Sequence, residues 1–177
     1  MKQLVRTLAL VFGVLGIMTS HAAAQTAGIQ SDALKDWTGL KDTMMKIAAA
    51  MPDDKFGFKS TPAQRSYGEQ VLHVAQVNIF VLKTLGAKAA APEVNMRATS
   101  KADVIKAMAD TFDYGTAAIK ELNDQAMLAT VQGPQFLGAS TRARIVYFTI
   151  GHTWDIYGQM AVYLRLSGVV PPASQRP

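Results

Sequence analysis

The segment from Ser140 to Leu166 constrains this chain more than any other. Ile145, Phe148, His152, Ile156, Gln159 and Tyr163 step by three or four residues along one seam. Val146, Ile150, Trp154, Tyr157 and Leu164 cover much of the remaining circumference. A period of three to four over this length is helical, and a helix apolar nearly all round must be covered on most sides. It predicts either a central position in a bundle or a face shared with a second copy of the chain. Gly168 and the Pro171-Pro172 pair end it.

Three further segments carry the same period. From Ser31 to Met51, Leu34, Trp37, Leu40, Met44, Ile47 and Met51 form one stripe, with Ser31 as the expected N-cap and Pro52 as the stop. From Ser66 to Leu85, Ser66 and Glu69 have the spacing of a capping box, and Gly86 suits a left-handed C-terminal position. From Ser100 to Leu122, Val104, Met108, Phe112 and Ile119 supply the stripe, and Asp103 lies near the positive helix end. Residues 53–62 and 123–138 are expected to be loops, the second with a turn at Gly133-Pro134. The predicted fold is all-α: four helices around one core. About 14 residues join the second helix to the third, more than the 2–8 usual between bundle neighbours, which suggests a crossover.

The first 24 residues have a different character. Lys2 and Arg6 precede an apolar run from Leu8 to Met18, and Ala22-Ala23-Ala24 follows. That order is the pattern of a secretory signal peptide cleaved before Gln25, and the run falls short of the roughly 20 residues that span a bilayer. The expectation is a signal peptide over residues 1–24, a single domain over 25–177, and a periplasmic or secreted protein that has no membrane segment after cleavage. Of 18 Lys and Arg against 13 Asp and Glu, the signal would take two basic residues, leaving a charge of about +3. No basic block with interleaved aromatics occurs, so nucleic acid is not expected as a partner.

The chain has no Cys, which removes thiolate catalysis, disulfides, Cys-based zinc sites and Fe–S clusters. No Gly-x-Ser-x-Gly elbow, phosphate loop or dinucleotide fingerprint is present. The chemistry then falls to His73 and His152, each inside an apolar helix, since His21 belongs to the signal. Glu69 stands four residues before His73, Asp155 three after His152, and Gln159 seven after it, nearly in line. Two imidazoles and a carboxylate with open positions suit Zn, Ni, Fe or Mn. The competing expectation is a pair of hydrogen-bonded core histidines, and spacing alone does not bring the two together.

Ser66-Tyr67-Gly68-Glu69 followed by His73 resembles the second-helix motif of the DinB-like family, also described as YfiT-like metal-dependent hydrolases. His152 to Gln159, then Tyr163-Leu164-Arg165, Gly168 and Pro171-Pro172, resembles that family's closing signature, His-x-x-x-His-x-Gly-Gln followed by Tyr-Leu-Arg, Gly and Pro-Pro. The resemblance covers about Ser31 to Ser174. It implies an up-down-down-up four-helix bundle with a long connection after the second helix. It also implies a metal held by three His, one on the second helix and two on the fourth. The first two fall on His73 and His152, and the third falls on Ile156, which has no lone pair.

The implied triad is therefore incomplete. Asp155 or Glu69 could replace the third ligand, the metal could bind weakly, or the histidines could have become core residues. The family resemblance implies metal-dependent hydrolase or thiol-transferase chemistry, but whether this chain is an enzyme stays open. The alternative is a non-catalytic bundle, either a homodimer through the fourth helix or one binding a small ligand in a pocket walled by Trp154, Tyr157, Phe80 and the two His, with Gln159 beside them.

Overall fold

The computed structural model of the protein describes residues 28–175; the expected signal peptide lies outside the described residues. The order is α1 (Ile29–Ala50), α2 (Tyr67–Leu82), α3 (Lys101–Lys120), α4 (Asp124–Leu128), β1 (Thr130–Gln132), β2 (Ala139–Thr141) and α5 (Arg142–Leu166). The four long helices are the four expected from periodicity. α1 and α2 each pack against α3 on one side and α5 on the other.

Side-chain pairs fix the directions. Trp37 Nε1 donates to the Phe112 carbonyl at 2.9 Å, and Gln30 reaches the Ile119 carbonyl, so α1 and α3 run antiparallel. Asn78 donates to Thr111 at 3.2 Å and Leu82 packs at Gly115, so α2 and α3 run parallel. Gln70 donates to Gln159 and His73 faces His152, so α2 and α5 run antiparallel. The course is up-down-down-up. Parallel neighbours need a connection that returns along the helix length. α3, at 20 residues, is about 30 Å long, and the fifteen residues 86–100 can stretch to about 50 Å, enough for that return. Glu121 at the end of α3 accepts from the backbone N–H groups of Lys88 and Ala89, pinning the start of this crossover.

The helix ends follow their sequence signals with two corrections. Ser66 caps α2, accepting from the Glu69 N–H while the Glu69 carboxylate accepts from the Ser66 N–H. Gly86 is left-handed at φ 70°. Ser31, expected as the N-cap of the first helix, is instead inside it. Gly28 is the cap, and the Ser31 hydroxyl accepts from the Gly28 N–H at 2.9 Å. The Asp124 carboxylate accepts from the Gln30 N–H and anchors this earlier start. The expected loop over 123–138 also contains structure: α4, capped by Asn123, and β1, which pairs antiparallel with β2 just beyond the loop, Val131 opposite Ser140. Arg142 ties the region together, donating to the carbonyls of Leu85 and Ala126.

The core fills the space between the four long helices, with Trp37, Leu40, Met44, Tyr67, Leu82, Met108 and Phe112 fully buried. α5 is not covered all round. Tyr147, Trp154, Val162 and Leu166 project from one outward stripe, with Trp154 46% exposed. No helix among the described residues is long and apolar enough to cross a membrane.

Gly115 is the tightest approach of the α1–α2–α3 core. A Cβ there would overlap the indole of Trp37 and lie 2.9 Å from Leu82. Gly115→Ala is expected to lower stability by about 1–3 kcal/mol through overpacking. Gly39→Ala, in an open position of α1, is expected to be neutral or stabilising by up to about 1 kcal/mol. Urea unfolding of both variants checks the contrast, and equal midpoints would contradict this packing.

Candidate functional site: the histidine pair between α2 and α5

The site lies on the antiparallel α2–α5 seam. The capping box fixes where α2 begins, which places His73 about two turns in. The seam then pairs Gln70 with Gln159, His73 with His152, and the apolar Val77 and Phe80 with Phe148 one turn further on. The two Nε2 atoms stand 3.2 Å apart, with ring centroids 5.0 Å apart and planes inclined at 63°. The structure thus brings together the two histidines that spacing could not connect.

That separation serves two chemistries. Two imidazoles on one tetrahedral ion at about 2.0–2.1 Å per bond have nitrogens roughly 3.3 Å apart. Two imidazoles sharing a hydrogen bond have nitrogens at a similar distance. The neighbours separate the cases. Ile156, one turn from His152 on the same seam, is 2% exposed and packed into the core. Glu69 is engaged at the α2 N-terminus, accepting from the Ser66 N–H and pairing with Lys59 at 3.5 Å. Asp155 accepts from Gln159 Nε2 at 3.0 Å. Among the described residues no three His, Asp or Glu side chains converge as an ion would require. His152 Nδ1 is buried without a partner, whereas a metal-bound His almost always donates its second ring N–H to an acceptor. The residues present do not fit a three-ligand metal centre.

The same orphan assigns the protons. A buried N–H without an acceptor is rarer and costlier than a buried lone pair. His152 therefore carries its proton on Nε2 and donates it to His73 Nε2, leaving the His73 proton on Nδ1. Both rings are held neutral. Burial pushes His73 down to about 4, with Arg65 and His152 adding to the effect. Burial also lowers His152, with Asp155 opposing and Arg65 assisting.

An apolar cleft of about 450 Å³ opens beside the pair, walled by Val77, Phe80, Phe136 and Phe148, with His73, His152 and Gln76 at its polar side. Phe80 was expected here from the sequence. Trp154 and Tyr157 were expected as walls as well, but they pack on each other with centroids 5.3 Å apart and do not line the cleft. The reason is helical phase: Trp154 is two residues from His152, about 200° around α5. Gln159 lies on the seam but is used in the Asp155–Gln159–Gln70 chain.

Sequence reasoning missed Gln70, Gln76, Phe136 and Arg65. Gln70 and Gln76 sit three residues either side of His73, a spacing that was available as a signal. Phe136 comes from the loop between β1 and β2, and Arg65 from the α1–α2 loop, and neither carries a periodic signal. Tyr163 holds that second loop: its hydroxyl donates to the Arg65 carbonyl at 2.7 Å, and Phe58 packs edge-on against its ring.

Residues 37–160, well over half the chain, match the sequence model of the DinB superfamily. The chain belongs to the DinB superfamily. Its fold is similar to the crystal structure of a DinB-like protein from Bacillus cereus ATCC 10987, with a TM-score of 0.65 and 20% identity over 79% of this chain and 93% of that one. Among curated proteins no sequence matches. The long connection of the DinB bundle is the crossover over residues 86–100, and the helix pair with the His-x-x-x-Ile seam is α2 with α5.

Because the folded pair resists protonation, the unfolded chain binds more protons between about pH 6.5 and 4. This contribution to stability is fully present above pH 6.5 and is lost as pH falls toward 4. The melting temperature of the wild type is expected to drop more steeply over that window than that of the His73→Gln, His152→Gln double variant. Parallel pH profiles would show that the pair is not held neutral.

Proposed function

We propose that this chain is an exported DinB-superfamily bundle whose family metal site has decayed to two histidines. In this reading the pair holds a divalent ion weakly or not at all, and the neighbouring cleft binds a small amphipathic molecule. The observation that carries it is the 3.2 Å contact between His73 and His152 with Ile156 buried beside them. The pair has the spacing of two ligands, while an aliphatic side chain fills the seam position where the family pattern has its third. Catalytic zinc sites normally have three protein ligands and one open position. With two neutral imidazoles alone, no water or thiol is activated by an ion held firmly here, and the chain's own residues supply binding rather than turnover.

The cleft supports the ligand half of the reading. Its volume of about 450 Å³ lies within the usual range of small-molecule sites, and it combines apolar walls with a few convergent polar groups. The export half rests on the basic start, apolar run and alanine triplet of residues 1–24.

Zinc titration by calorimetry tests the metal half. The wild type is expected to bind zinc more weakly than micromolar. Ile156→His restores the third imidazole and should raise affinity by at least about 100-fold. Tight stoichiometric binding by the wild type would overturn the reading. No gain in Ile156→His would show that the seam does not converge on one ion.

A further inference from the structure

The apolar cleft does not end at the histidines. Gln76 and His73 also line a second depression of about 350 Å³, which is polar and basic and includes Lys59, Gln64 and Arg65. The two cavities share these residues, so an apolar groove and a basic pocket meet at one ridge of α2. Phe80 and Phe136, 58% and 61% exposed, stack with centroids 6.4 Å apart on the apolar side. Large aromatics left this open together mark a surface that something covers.

The charges on the basic side are unequal in availability. Lys59 pairs with Glu69, and Glu69 also accepts from the Ser66 N–H. Asp155 is bonded to Gln159. Arg65 makes no ion pair among the described residues. Its backbone is nonetheless fixed, because the buried Tyr163 donates to its carbonyl. The guanidinium is thus an available cation on an anchored backbone, and its charge reaches both imidazoles and lowers them. The Gln76 amide and the neutral His73 ring line the same pocket.

We infer that the joined groove binds a small amphipathic carboxylate, its aryl or alkyl tail among Phe80, Phe136 and Phe148 and its carboxylate on Arg65. This rests on the ligand-binding half of the function proposed above. An ammonium head is disfavoured because the one carboxylate lining the basic pocket, Glu69, is already satisfied. A single available guanidinium matches a single negative charge, and its planar fork suits a carboxylate.

The test is calorimetric titration of the full mature chain, with chelator present, using phenylpentanoate, phenylpentanol and phenylpentylamine. The acid is expected to bind at least about tenfold more tightly than the alcohol, and the amine not to bind. Arg65→Gln should bring the acid down to the alcohol's affinity. Phe136→Ser should weaken acid and alcohol alike. Both side chains are exposed, so melting temperatures should hold and loss of binding is not loss of fold. Equal binding of acid and alcohol, or an unchanged Arg65→Gln, overturns the carboxylate assignment. Absence of binding by all three probes at millimolar concentration overturns the groove as a ligand site. Because chelator is present throughout, neither result depends on how zinc behaves with the wild type or Ile156→His.

Discussion

The antiparallel seam between α2 and α5 is the constraint on which the rest of this molecule depends. Four polar side chains, Gln70, His73, His152 and Gln159, sit on helix faces that otherwise bury aliphatic and aromatic groups. Buried polar groups are expensive unless they find partners. Here they find each other across the seam, Gln70 with Gln159 and His73 with His152. A shift of one residue in register would break both contacts, leaving Gln159 only its bond to Asp155 on the same helix. The seam therefore fixes how α5 lies on α2. That in turn fixes the cleft beside Phe148 and the place where Tyr163 holds the α1–α2 loop.

The fold was largely legible in the sequence because each long helix has a stripe and three of the four also have a stop. Ser66 with Glu69, Gly86 and Gly168 did in the structure what their chemistry asks. Ser31 did not, since the Asp124 carboxylate, bonded to the Gln30 N–H 94 residues before it, lets the helix start at Ile29. The β1–β2 ribbon and α4 were missed because elements of three to five residues are too short to show a period. α5 was expected to be covered on most sides, by the bundle or by a second copy of the chain, and within the bundle one stripe of it stays exposed. Hydropathy does not tell which apolar residues of a bundle helix face outward, and Trp154 does.

The site was legible in its parts and not in its assembly. His73, His152, Glu69, Asp155 and Gln159 were all named from spacing, yet their relations required tertiary structure. Both carboxylates turned out to be engaged, Glu69 by the helix end and Asp155 by Gln159. Arg65 had no signal at all, because a loop residue acquires meaning only from what its backbone is tied to. Together these neighbours give the pair its character: two rings held neutral by burial, with the Arg65 charge near both and the Asp155 charge opposing it at His152.

The central claim is that His73 and His152 are bonded to each other rather than to a shared ion. Long-range proton–nitrogen correlation spectra of the imidazoles, recorded at neutral pH with and without one equivalent of zinc, test it most directly. The account predicts His152 protonated on Nε2 and His73 on Nδ1, with a pattern that zinc leaves unchanged at micromolar concentration. Loss of the His152 Nε2 proton on stoichiometric zinc addition, with both Nε2 resonances moving together, would contradict it.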